Sequence, residues 1–121
     1  MFYRVIEERT FTATYELATE HACLPPVQQD EVITQGGINE NVTRIQTGQI
    51  RKCKWAVCRC LEDGRMYRLS GGHTSRAILR TIIDLPEEID IEIVYTVFEC
   101  DDKRGMIAIL LDDLFHGVNN L

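Results

Sequence analysis

The chain lacks any apolar run near the roughly 20 residues that a bilayer-spanning helix requires, so no membrane span is expected in its 121 residues. Its opening stretch, "MFYRVIEERTF", lacks the apolar segment of a signal peptide, and a cytoplasmic protein is expected. Positive charge is in deficit: 13 Lys and Arg stand against 19 Asp and Glu, a net charge of -6. A general nucleic-acid coat needs the opposite balance to neutralise phosphates. No helical segment is rich enough in basic residues to act as a recognition helix, so direct DNA binding is not expected. The sequence has no CxxC pair, and its five cysteines, Cys23, Cys53, Cys58, Cys60 and Cys100, are an odd number. Reduced thiols fit this better than a disulfide framework. Internal repeats, low-complexity segments and linkers are also missing.

What is present is a 45% hydrophobic, 26% charged chain. That is the balance of a globular protein, long enough for one domain and too short for two ordinary ones. It is expected to fold alone or with a symmetric copy as a homodimer. Arg44, Arg51, Lys52, Lys54, Arg59, Arg65, Arg68, Arg76 and Arg80 place most positive charge in the middle third. An acidic chain with a basic middle suits a small anionic ligand.

Alternation of Phe11, Ala13, Tyr15 and Leu17 against threonines and Glu16 predicts two N-terminal strands or one bent strand. The Pro25-Pro26 pair predicts a short helix near residues 27 to 35, stopped by Gly36-Gly37. "INENVTRI" then reads as a loop leading to a short helix capped by Thr47, with Ile50 and Cys53 on one face. "WAVCRCL", the turn "EDGR" and "MYRL" predict a hairpin around Asp63-Gly64. From Thr74 the apolar spacing of Ala77, Ile78, Ile82 and Leu85 predicts a helix closed by Pro86. "IDIEIVYTVFEC" predicts a central strand, apolar on both faces. The acids of "DDKRGMIAILLDDLFHG" suit a helix start, with Gly117 as its end and Ile107, Leu110, Leu111 and Leu114 as its buried stripe. The sum is a single α+β domain with a small mixed sheet and packed helices.

The segment "LSGGHTSRA" carries the main chemical signal. Gly71-Gly72 lets backbone approach a ligand, and a helix starting behind it offers N–H groups to an anion. Thr74 and Ser75 add hydroxyls, His73 a donor or proton carrier, and Arg76 a cation. Equally, the same residues make a strand-to-helix turn with a capping hydroxyl. Cys53, Cys58 and Cys60 with His73 offer the thiol and imidazole groups of a metal set. Cys58 and Cys60 share a strand face with Ala56, which favours buried apolar cysteines, and no metal site is expected. Asp101, Asp102, Asp112 and Asp113 read as helix-start and solvent-facing acids rather than magnesium ligands.

An asparagine-rich loop ending in arginine, a helix, a hairpin and a G-G-H helix start, in that order, resembles the ParB/sulfiredoxin-like superfamily over residues 38 to 115, leaving 1 to 37 outside. Its members carry an N-P-x-Q-P-R-like loop and a G-E-R-R or G-G-C-H-R box. Asn39 and Arg44 match the ends of the loop motif, and "GGHTSRA" occupies the box. Phage-borne relatives with N-x-R, W and G-Q-H-R-x-x-A-I are a nearer likeness, met here by Asn41 to Arg44, Trp55 and "GGHTSRAI". The resemblance implies a nucleotide, ATP or CTP with magnesium, whose phosphates meet Asn39, Asn41, Arg44, Gly71, Gly72, His73, Thr74, Ser75 and Arg76. Glu40, inside the loop motif, is the candidate general base if NTP hydrolysis or phosphotransfer occurs. The sulfiredoxin cysteine position reads His73, which excludes that chemistry, and Thr74 replaces the arginine that follows the histidine in phage-type boxes. The alternative is a non-enzymatic acidic interaction protein that binds and modulates a host protein in the host cytoplasm.

Overall fold

The computed structural model describes residues 2–27, 34–84 and 89–115, with side chains up to residue 112. The elements run β1 (Tyr3–Thr12), α1 (Tyr15–Cys23), α2 (Gln35–Gln46), β2 (Lys52–Cys60), β3 (Arg65–Ser70), α3 (Gly72–Asp84), β4 (Glu92–Cys100) and α4 (Lys103–Ile109). A π-helical turn, Leu110–Phe115, continues α4. The strands form one mixed sheet in the order β1-β4-β2-β3. β4 pairs antiparallel with β1 and parallel with β2, and β2 pairs antiparallel with β3. The parallel β2–β4 contact requires a crossover, and α3 supplies it.

Alternation along β2 and β4 sends side chains to two separate cores. Cys53, Trp55 and Ile93 meet Ala18 of α1, Val42 and Ile45 of α2, and Ala77 and Ile78 of α3. On the opposite face Ala56, Cys58, Cys60, Phe98 and Cys100 lie beneath Met106 and Ile109 of α4. The hairpin turns at Gly64, whose φ of 70° is the left-handed value such a turn needs.

The chain therefore has the expected α+β class, hairpin, helix after Gly71 and central strand, and the role of that helix as the crossover comes from the parallel pairing of β2 with β4. The N-terminal third differs. One strand, bulged between Val5 and Glu7, ends at Thr12. Tyr15 and Leu17 belong to a helix capped by the Thr14 hydroxyl, which accepts from the Leu17 N–H at 3.1 Å. That cap overrides a four-residue alternation.

The expected loop over "INENVTRI" is helix instead, and Gly36-Gly37 opens α2 rather than stopping a preceding helix. Thr34 caps it, accepting from Gly37 N–H at 3.0 Å. Most of the helix expected at 27 to 35 lies outside the described residues, although Val27 is not helical and Gln35 already starts α2. Thr47 closes α2 instead of opening a helix, Gly48 turns the chain at φ 74°, and Cys53 is in β2.

Along α4 and at the start of the π turn the buried apolar side chains are Met106, Ile109 and Leu110. Ile107 and Leu111, expected in the buried stripe, are 54% and 59% exposed. Met106, Ile109 and Leu110 stand at i, i+3 and i+4, and Ile107 and Leu111 each lie one position round the helix from that face. The expected end at Gly117 and the side chains of Asp113 and Leu114 lie outside the described residues.

Candidate anion site at the start of α3

Gly71 links β3 to α3 at φ 95°, and a Cβ there would sit 2.4 Å from Trp55 Cδ1. Only glycine meets both demands. The first helical hydrogen bond runs from Ser75 N–H to Gly71 C=O at 2.9 Å. The N–H groups of Gly72, His73 and Thr74 precede it and have no acceptor among the described residues. They lie at the positive end of a thirteen-residue helix.

The side chains of this corner are engaged with its own backbone. Thr74 Oγ1 donates to Gly71 C=O at 3.1 Å and accepts from Trp55 Nε1 at 3.4 Å. Ser75, fully buried, donates to Gly72 C=O at 3.2 Å. Arg76 reaches Gly72 C=O at 3.3 Å and Ala22 C=O at 3.5 Å, its charge remaining beside the helix start. His73 Nε2 accepts from Thr34 N–H at 3.2 Å, which leaves Nδ1 as the protonated nitrogen of the neutral ring. The ring also fills the space that a side chain at Gly37 would need, 2.7 Å away.

Gly71, Gly72, His73, Thr74, Ser75 and Arg76 thus form one corner, to which Thr34 is joined. The loop-motif residues do not all reach it. Thr34 meets His73 while Asn39 accepts from Arg80, so α2 and α3 run side by side in the same direction. Arg44 lies about 15 Å along α2 from Thr34 at the ordinary helical rise. There it pairs with Glu40 on an exposed face. Asn39 also accepts from Gln35 at 3.1 Å, and Asn41 donates to Gly37 C=O at 3.0 Å.

A layer beneath the corner went unmarked by sequence reasoning. His21 of α1 stacks on Trp55, centroids 4.2 Å apart and planes at 14°. Its Nε2 donates to Ser70 C=O at 2.9 Å. Burial first, then the charges of Arg68 and Arg76, push its pKa down to about 4 despite the Ser70 bond. Arg68, 3% exposed, donates to Ala22 and Leu24 C=O at 2.9 and 3.1 Å and so ties the end of α1 to β3. The helical spacing of Leu17, Ala18 and His21 was the available signal for His21; nothing in the sequence singles out Arg68 from its basic neighbours.

Among the described residues, no three or more His, Cys, Asp or Glu side chains are grouped so as to hold a metal ion. All five cysteines are free thiols, Cys23 exposed and the others buried. Among the described residues no helix is long and apolar enough to cross a membrane. The chain matches no protein family, no curated protein and no solved structure.

Proposed function

We propose that this chain is a ligand-binding domain of ParB/sulfiredoxin-like type that takes a phosphate-bearing small molecule at the start of α3. The observation that carries the reading is the row of N–H groups on Gly72, His73 and Thr74, with Arg76 beside them and no acceptor from the described residues. Phosphate oxygens match such a row in charge and hydrogen-bond sense. A nucleotide, ATP or CTP with magnesium, is the class implied by the sequence resemblance.

Binding is favoured over turnover. Thr74 and Ser75 donate their hydroxyl protons to backbone carbonyls, and Glu40 is held in an ion pair with Arg44. Calorimetric titration with ATP, CTP and GTP, with and without magnesium, tests the reading. Arg76→Gln should weaken binding about tenfold or more, as loss of a charge-assisted contact does. Arg44→Ala should leave it unchanged, because that side chain lies at the other end of α2. No binding by the native chain at millimolar nucleotide would end the proposal.

A second reading, a module that binds and modulates a host protein or a second copy of itself, is favoured by β1. This ten-residue edge strand is exposed on both faces over most of its length, with Val5 55% and Ile6 42% exposed. Sedimentation over a wide concentration range tests the homodimer form. A Val5→Lys variant that behaves identically to a self-associating parent would exclude β1 as the contact.

A further inference from the structure

The outer face of α4 carries apolar surface that nothing in the anion site uses. Ile107 and Leu111, 54% and 59% exposed, stand at i and i+4 and form one stripe. Beside it, between α4 and β3, lies a groove of about 220 Å³ lined by Pro26, Val27, Tyr67, Lys103, Met106 and Ile107. A cavity of about 150 Å³ admits a benzene ring, so the groove has room for a leucine side chain. Leu111 stands one turn beyond Ile107, outside the groove.

Charge is distributed along this helix in the sense opposite to its dipole. Lys103 and Arg104 occupy the first turn and Asp112 follows the last α-helical turn, whereas the dipole favours acids at the start and bases at the end. All three are exposed. Arg104 pairs with Asp102 at 2.7 Å. Neither Lys103 nor Asp112 has an ion-pair partner among the described residues. A second helix laid antiparallel answers both ends at once, bringing an acid to the basic end and a base to the acidic end.

We propose that this stripe and groove bind a second copy of the chain about a twofold axis at Ile107. The midpoint between Lys103 and Asp112 falls between Ile107 and Ala108, so one axis there satisfies both charge contacts, as a self-complementary pair requires. Each Leu111 enters the groove of the other copy, and the adjoining Asp112 meets the other copy's Lys103 at its rim. The contact is small and belongs at the low end of specific interfaces, so the dimer is weak and depends on concentration. It is separate from β1, which lies at the opposite edge of the sheet from β3.

Sedimentation equilibrium of the full chain from micromolar to millimolar concentration tests the proposal, with dimer expected to accumulate across that range. Leu111→Ser should weaken association about tenfold or more. Lys103→Glu and Asp112→Lys should each weaken it similarly, because symmetry puts two like-charge contacts in every pair. Mixing these two variants should restore the dimer, since each contact in a mixed pair again joins opposite charges. Val5→Lys should leave association unchanged. A parent chain that stays monomeric at millimolar concentration would overturn the proposal. So would a mixture that associates no better than its separate variants, or a dimer lost with Val5→Lys and kept with Leu111→Ser. Should a charge reversal fail to fold, Lys103→Ala, Asp112→Ala and their combination take its place. The combined loss should then equal either single loss, and an additive loss would overturn the pairing.

Discussion

Gly71 concentrates two constraints that act on one Cα: a φ of 95° and a Trp55 ring where a Cβ would stand. Gly71→Ala should therefore cost about 2–4 kcal/mol, combining left-handed strain with overpacking, and urea unfolding would read it as a lower midpoint. Gly36 supplies the contrast, since nothing lies within 4 Å of its would-be Cβ and its φ is not in the left-handed region. Gly36→Ala should stabilise by about 0.5–1 kcal/mol through helix propensity and a less disordered unfolded chain. Equal effects at the two glycines would refute the placement of Trp55 under the corner. His21 gives a pH signature at the same scale. Its folded pKa of about 4 lies below the ordinary histidine value of 6.5, so the unfolded chain binds the extra proton between those values. Stability from the neutral, buried ring is fully present above the unfolded pKa and is lost as pH falls toward about 4. The full loss is on the order of 3 kcal/mol. Comparing urea midpoints across that window, His21→Gln should be flatter than the parent; an equally steep profile would assign the acid sensitivity to other groups.

Helices separate what the sequence displays from what only packing supplies. The hairpin, α3 and β4 are legible because each carries a long period and a strong stop: Asp63-Gly64, Pro86, and alternation from Ile91 to Val97. α1 is concealed because the last two residues of an alternating quartet, Tyr15 and Leu17, begin a helix whose buried face includes Ala18 and His21. α2 is concealed because Gly36-Gly37 looks like a stop. Gly37 is there for a contact 36 residues away, the His73 ring. The corner of the candidate site was legible for the same local reason as the hairpin, whereas the distance of Arg44 from it follows from α2 being one continuous helix, which no local pattern declared. Thr34 is the test of that helix. It caps α2 through its hydroxyl, and its N–H donates to His73. Thr34→Ala should remove about 1 kcal/mol of stability while keeping the backbone bond to His73, and Thr34→Pro should break that bond as well. The His73 ring signals in an NMR spectrum should then move in the proline variant much more than in the alanine variant; similar spectra would place His73 elsewhere.

Across the whole molecule, burial is unevenly divided between the two faces and between the centre and edges of the sheet. β2 and β4 are each paired on both sides, and their inward residues include the fully buried Trp55, Val57, Cys58, Cys60 and Ile93. β3 is an edge strand, but Pro25 C=O and Val27 N–H hydrogen-bond to the Arg68 backbone and cover part of it. β1 has one neighbour and is exposed along most of its length, and α4 is a short cover over three thiols. Opening free energy should follow this order, because local stability tracks buried contacts and paired backbone. Hydrogen exchange at the peptide level should show β2 and β4 exchanging only through global unfolding, with β1 and α4 exchanging through smaller openings. The same openings of α4 expose Cys58 and Cys100, so their alkylation rate should match the exchange of α4 amides and change in parallel with it under mild denaturant. Thiols that react at the exchange rate of β4 would mean that the face beneath α4 opens only when the sheet itself does.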